Sequence, residues 1–250
     1  MDLYEAFALK PAAIVAIVGG GGKTSLAHAL AREAAGRGLS AVVLTTTRFT
    51  RPPHMPMPLI VQTTDMRAAK DLALALAPGT ALVAITGHGE HGRMLGFLPE
   101  TVDALANLGA GLIVVEADGS RQRPFKAPAA HEPVIPRSAT DVIVCVGLDV
   151  LGKPLAERDV HRSETVSRLG GGLPGEAVDA ALIVNVLLHA DGGRKGVPPG
   201  ARLHALLNAP ASAEHEKLGV HIAQRLVFGG YRRAVVANAQ LTGDVRAVLQ

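Results

Sequence analysis

Short apolar runs alternate along the chain with longer Ala- and Leu-rich stretches whose hydrophobic positions recur at helical spacing. The runs Ile14 to Val18, Ala41 to Thr45, Leu82 to Thr86, Leu112 to Glu116, Asp141 to Val146, Arg202 to Leu207 and Arg233 to Ala237 carry few polar residues. A strand without a polar face has no side to show to water, so the pattern predicts a parallel sheet covered by helices. Ser25 to Arg37 predicts the first helix, with Leu26, Ala27, Leu30, Ala31 and Ala34 on one stripe and Gly36 and Gly38 as its stop. Further helices are predicted at Met66 to Ala77, Glu100 to Leu108, Glu176 to His189 and Ala213 to Val227. The expected fold is α/β, a three-layer α/β/α sandwich around a mostly parallel sheet. Proline and glycine cluster at Arg51 to Pro58, Pro124 to Pro136 and Gly192 to Gly200, which read as connections over the sheet edge. With no internal repeat, one domain over residues 1–250 is the economical organisation.

Composition narrows the class. At 250 residues and 48% hydrophobic the chain can bury one large core, and 19% charged residues are too few for a disordered chain. The net charge of +3 comes without any block of like charges, and aromatics are 3%. Neither a basic stripe nor a stacking platform is present, so no nucleic-acid partner is expected. The lone Cys145 excludes an internal disulfide and, inside Val142 to Val146, reads as a small core hydrophobe rather than a reactive thiol. Met1 to Glu5 carries two acids and no basic stretch, and no apolar run approaches the ~20 residues of a membrane span. A cytoplasmic protein with no membrane partner is expected.

The strongest chemical signal follows the first strand. Gly19-Gly20-Gly21-Gly22-Lys23-Thr24 stands between an apolar run and a helical stretch. Glycines there let backbone N–H groups converge on phosphate oxygens, and a helix N-terminus favours anions. In this reading Gly19 to Gly22, Lys23, Thr24 and Ser25 bind a nucleotide, Lys23 neutralises the β- and γ-phosphates, and Thr24 ligates Mg²⁺. The first glycine of the G-x-x-x-x-G-K-[ST] pattern would fall at Ile17 and is missing. A glycine-rich turn in an unrelated α/β fold is the competing reading.

A second acid ends another buried run: Leu112 to Glu116 is followed by Ala117-Asp118-Gly119. Carboxylates at the C-terminal ends of parallel strands lie where open α/β sheets bind ligands. Glu116 is assigned to the Mg²⁺ shell, Asp118 to orienting an attacking water, and the Gly119 N–H to sensing a γ-phosphate. Thr45, Thr46, Thr47 and Arg48 emerge at the same edge, where Thr46 could reach phosphate or the metal's waters. His88, Glu90 and His91 lack a third ligand at defined spacing and read as a solvated loop.

The stretch EADGSRQRPFKAPAAHEPVIP, from Glu116 to Pro136, resembles the YqeC family of accessory proteins for selenium-dependent molybdenum hydroxylases. Supporting matches are VGGGGKTSL at Val18 to Leu26, LTTTR at Leu44 to Arg48, GLDVLGKPL at Gly147 to Leu155 and VHRSE at Val160 to Glu164. The resemblance implies a P-loop NTPase-type fold and a maturation role, with a client molybdoenzyme or a molybdenum-cofactor intermediate as partner. The Glu116-x-x-Gly119 form is also similar to that of the GTPases that insert nickel into urease and hydrogenase. In such GTPases an N-K-x-D run selects guanine; here its place falls on Asn208-Ala209-Pro210-Ala211, without Lys or Asp, so ATP is preferred to GTP. Prolines 124, 128, 133 and 136 predict an extended surface segment, from which Lys126, His131 and Glu132 would face a substrate or partner. Two other functions fit these residues. One is a small-molecule kinase in which Lys126 and His131 grip an acidic acceptor, and the other a nucleotide-gated module without turnover.

Overall fold

A computed structural model describes residues 1–50, 59–90, 93–208, 212–240 and 244–250. Helix α1 (Leu3–Ala6) precedes strand β1 (Ala13–Gly19) and helix α2 (Lys23–Gly36). Then come β2 (Ala41–Thr45), β3 (Arg48–Thr50), β4 (Leu59–Gln62), α3 (Ala68–Ala75), β5 (Ala81–Ile85), β6 (Gly87–His88), β7 (Arg93–Leu95) and α4 (Pro99–Leu105). The second half holds β8 (Leu112–Glu116), β9 (Phe125–Lys126), β10 (Asp141–Gly147), β11 (Val160–His161), α5 (Ser163–Gly170) and α6 (Ala180–Leu188). It finishes with β12 (Arg202–Asn208), α7 (Ala213–Phe228), β13 (Arg233–Ala237) and β14 (Val245–Leu249).

Nine strands form one mixed sheet in the order β14-β13-β12-β10-β1-β8-β2-β5-β4, parallel except for the β13–β14 pair. All seven runs picked out by apolar patterning are strands in it. Alternate residues of each central strand face opposite layers. Ile143 and Cys145 of β10 pack with Leu26 and Leu30 of α2. Val142, Val144 and Val146 of the same strand pack with Ile183 of α6 and Ile222 of α7. Ile113 and Val115 of β8 meet Leu72 of α3 and Val102 of α4. Cys145 is fully buried, and burial pushes its thiol pKa up, so it belongs to the core as expected. No helix among the described residues is long and apolar enough to cross a membrane.

Several boundaries differ from expectation for local reasons. Helix α2 starts at Lys23, two residues before the predicted Ser25, because left-handed Gly22 lets the chain turn directly into the helix. Helix α6 starts at Ala180 rather than Glu176: the Asp179 side chain caps Leu182 N–H at 2.7 Å, while Glu176 O accepts from Leu155 N–H. Edge strands β4 and β14 and helix α5 were not predicted. The sequence stretches Arg51 to Pro58, His91 and Ala209 to Ala211, read above as connection, loop and base-recognition segment, lie outside the described residues.

One core residue carries a measurable consequence. His28 of α2 is 2% exposed, and neither ring nitrogen has a hydrogen-bond partner among the described residues. Burial, helped by the charge of Arg32, pulls its pKa from 6.5 to about 4. Between those values the unfolded chain binds a proton that the native chain refuses, so stability falls as pH falls. From pH 7 to pH 5 the loss through this residue is about 2 kcal/mol. His28→Leu should lose about 2 kcal/mol less than the parent over that interval in urea unfolding. Equal losses in both proteins would remove His28 from the acid response.

Candidate functional site

The chain leaves the centre of the sheet at β1, whose neighbours are β8 on one side and β10 on the other. Chain order reverses at this point, which opens a crevice at the C-terminal strand ends. The glycine run, Glu116 and Asn208 all emerge there, from β1, β8 and β12.

The loop itself is short. β1 stays paired as far as Gly19, which lies opposite Cys145, so three residues separate strand from helix. Gly21 and Gly22 have φ of 70° and 109°, and a Cβ at either would run into the Gly147 backbone or the Asn208 amide. Two loop N–H groups are already taken: Gly20 donates to Cys145 O at 2.9 Å and Gly21 to Arg123 O at 3.1 Å. The N–H groups of Gly22, Lys23, Thr24 and Ser25 have no partner among the described residues. They form the first turn of α2, where the helix dipole adds partial positive charge.

Charged side chains close the floor of this turn. Lys23 is 4% exposed and folds back to donate to Gly19 O at 2.7 Å, with Asp118 Oδ1 at 3.3 Å and Glu116 Oε1 at 3.9 Å. Burial alone would lower the Lys23 pKa, but the Asp118 and Glu116 charges outweigh it and hold it above the usual lysine value. The Thr24 hydroxyl donates to Glu116 Oε2 at 2.9 Å, joining the start of α2 to the end of β8. Burial raises the Glu116 pKa, against the pull of Lys23 and Thr24. The Thr45 hydroxyl and the Thr46 N–H both donate to Glu116 O, at 3.0 and 3.1 Å. The Thr46 hydroxyl is spent on Val134 O at 2.9 Å, so it fastens the proline-rich segment in place. The Gly119 N–H has no partner among the described residues.

Asp118 has a different setting from that of a free base. Its carboxylate accepts the Gly19 N–H at 3.0 and 3.1 Å, and it lies between Lys23 and, 3.0 Å from Oδ2, Lys126. Both oxygens are thus occupied, and the residue is 2% exposed. Such a group holds the loop and its lysine in position.

The segment from Pro124 to Pro136 corrects the expectation of an outward-facing surface stretch. Phe125, Lys126, Ala127 and Pro136 are buried, because β9 pairs with β11 and Phe125 fills the core. Lys126 Nζ is saturated by Asp118, by Gly119 O at 2.6 Å and by Glu132 at 2.7 Å. Glu132 is half-buried and also accepts from Arg162 at 2.8 Å; although burial works against the charged form, these two cations hold its pKa at about 2. Lys195 reaches over to the carbonyls of Ala129 and Ala130. Of the three side chains expected to face a partner, His131 alone is exposed.

Two roles were not read from the sequence, those of Asn208 in the loop and of Arg162. Asn208 donates to Gly21 O at 3.0 Å and accepts from Ala239 N–H at 2.9 Å, bracing the loop against the end of β12. Its signal was a polar residue closing an apolar run, the same signal that singled out Glu116. Arg162 answers Glu132 from a run quoted above only as part of a resemblance.

Removing Lys126 takes one of two cations from each of two carboxylates, Asp118 buried and Glu132 half-buried, which keep Lys23 and Arg162. Lys126→Ala should therefore lower unfolding free energy by about 2–3 kcal/mol, whereas exposed His131→Ala should stay within about 0.5 kcal/mol of the parent. Urea unfolding of both variants checks this, and a Lys126→Ala protein as stable as the parent would contradict it.

The comparisons with known proteins agree on one family. A family model described as YqeC protein matches residues 15–164, a span that contains the glycine run, Glu116, Asp118, the proline-rich segment and Arg162. A curated relative from Escherichia coli (strain K12), described as "Uncharacterized protein YqeC", is 32% identical over 213 residues, covering 83% of this chain and 80% of the relative. No solved structure gives a significant match. The chain belongs to the YqeC family.

Proposed function

We propose that this protein is a P-loop-type NTPase that holds a nucleoside triphosphate with Mg²⁺ at Gly19 to Ser25 and hydrolyses it slowly. In this reading it acts as a maturation factor for a molybdenum hydroxylase, and hydrolysis resets its contact with the client or its cofactor intermediate. The observation that carries the nucleotide part is one juxtaposition. Four N–H groups without a partner among the described residues, Gly22 to Ser25, stand beside a buried lysine and a 2.9 Å Thr24–Glu116 hydrogen bond. An anion would satisfy these donors and add to the acceptors around Lys23, and a hydroxyl–carboxylate pair suits a hard divalent cation. The maturation role rests on the family resemblance of the Glu116 to Pro136 stretch.

The residues present fit an Mg²⁺–triphosphate group. Thr24 and Glu116 would hold the metal, which when bound would neutralise charge on phosphate oxygens. Lys23 supplies the loop's cation and keeps its charge because two carboxylates face it. Asp118 keeps Lys23 and the Gly19 N–H in place, so it acts as a positioning residue in this reading. Asn208 holds Gly21 O by its amide at 3.0 Å and so braces the loop. ATP is preferred to GTP, since Asn208 is committed to the loop and brings no carboxylate to a guanine edge.

Titration calorimetry of ATP and GTP against the full chain tests the proposal. Lys23→Ala should weaken triphosphate binding about 100-fold, equivalent to about 2.7 kcal/mol. Thr24→Ala should keep binding but lose its dependence on Mg²⁺. Unchanged affinity in Lys23→Ala would sink the phosphate-loop assignment.

A further inference from the structure

The run from Val160 to Glu164 brings a second polar group to the cleft. β11 pairs in parallel with β9, so that Val160 stands beside Phe125 and His161 beside Lys126. Register partners in a sheet share a face. Phe125 and Val160 enter the core, so His161 lies on the face from which Lys126 reaches Asp118 and Gly119. His161 is 7% exposed. Its Nδ1 is enclosed without a hydrogen-bond partner and lies 3.8 Å from Glu157 Oε2. Its Nε2 also has no partner among the described residues, yet is not enclosed.

Cations surround this ring. Burial and then the charges of Arg162, Lys126 and Arg121 pull the His161 pKa down, against the single pull of Glu157. Lys126 and Arg162 share Glu132, whereas exposed Arg121 has no ion-pair partner among the described residues. The backbone is strained at the same place. Arg121, Gln122 and Arg162 have φ of 50°, 61° and 61°, a left-handed conformation costing about 1–2 kcal/mol for each such residue. Arg123 holds the first pair, donating to Arg121 O at 3.2 Å and Glu157 O at 2.9 Å. Arg162 is held by Ala127 O at 3.1 Å and by Glu132. Strain that a structure maintains with dedicated bonds is characteristic of ligand sites.

We propose that Arg121, His161 and Arg162 line a second binding site beside the phosphate loop, for the phosphate or carboxylate head group of a small molecule. The guanidinium fork of Arg121 suits either oxyanion, and the imidazole adds one directed hydrogen bond when its proton is on Nε2. The segment forming the site touches the loop directly, since Arg123 O accepts the Gly21 N–H. The proposal rests on the nucleotide reading for the identity of its neighbour. It moves the grip on an acidic molecule away from Lys126, whose donors are spent, and from His131.

The test uses the full chain saturated with Mg²⁺ and the non-hydrolysable analogue β,γ-imido-ATP, which fills the phosphate loop. Inorganic phosphate and, separately, acetate are titrated while NMR follows the ring protons of His161, assigned by their loss in His161→Gln. A saturable shift with at least one anion is expected, and that anion names the head group. Arg121→Ala should raise its midpoint about tenfold or more while keeping parental affinity for the analogue. If the analogue itself fails to bind, the nucleotide reading fails separately. The same titration in Lys23→Ala, whose loop lacks its cation, then still reads the second site. No saturable shift with either anion, or the same midpoint in Arg121→Ala, overturns the proposal.

Discussion

The buried carboxylate of Asp118 between two lysines is the interaction on which the cleft depends. Each of these three groups is 5% exposed or less, and burying an ion costs several kcal/mol unless its partners are in place. The arrangement answers that cost by letting Asp118 take the Gly19 N–H as well as both ammonium groups. Three chain segments are thereby locked together: the exit of β1, the start of α2 and the proline-rich connection. Glu132 and Arg162 extend the alternation of charge to β11 and α5.

The same lock explains why the open donors lie where they do. With Gly19 tied to Asp118, Gly20 to Cys145 and Gly21 to Arg123, the loop has no slack. Its unsatisfied N–H groups fall in the first helical turn. A shortened loop of this kind concentrates its positive potential at a helix start, with the Thr24–Glu116 pair next to it. The chemistry is set by sheet topology, because β1 lies between β8 and β10.

How far the sequence showed this depends on the kind of residue. Strands such as β1 and β10 are buried at every position, so apolar runs revealed them. β4 has Leu59 66% exposed and β14 is only partly buried, and without continuous burial their patterns matched no template. Gly19 to Thr24 and Glu116 were legible because local spacing puts them at strand ends. Asp118, Lys126 and Glu132 were singled out, but their mutual pairing was not. The paired residues stand only eight and six positions apart, but they lie in an irregular connection where no helical or strand period fixes which side chains meet. His161 went unread because its neighbours in the cleft come from a different part of the chain.

The central claim concerns the four N–H groups without a partner among the described residues, and amide hydrogen exchange reads them individually. On adding Mg²⁺ and ATP to the full chain, the amides of Gly22, Lys23, Thr24 and Ser25 should exchange markedly more slowly. Those of Gly20 and Gly21, already bonded within the protein, should change little. Unchanged exchange at Gly22 to Ser25 under saturating ATP, or protection appearing only elsewhere, would contradict the account.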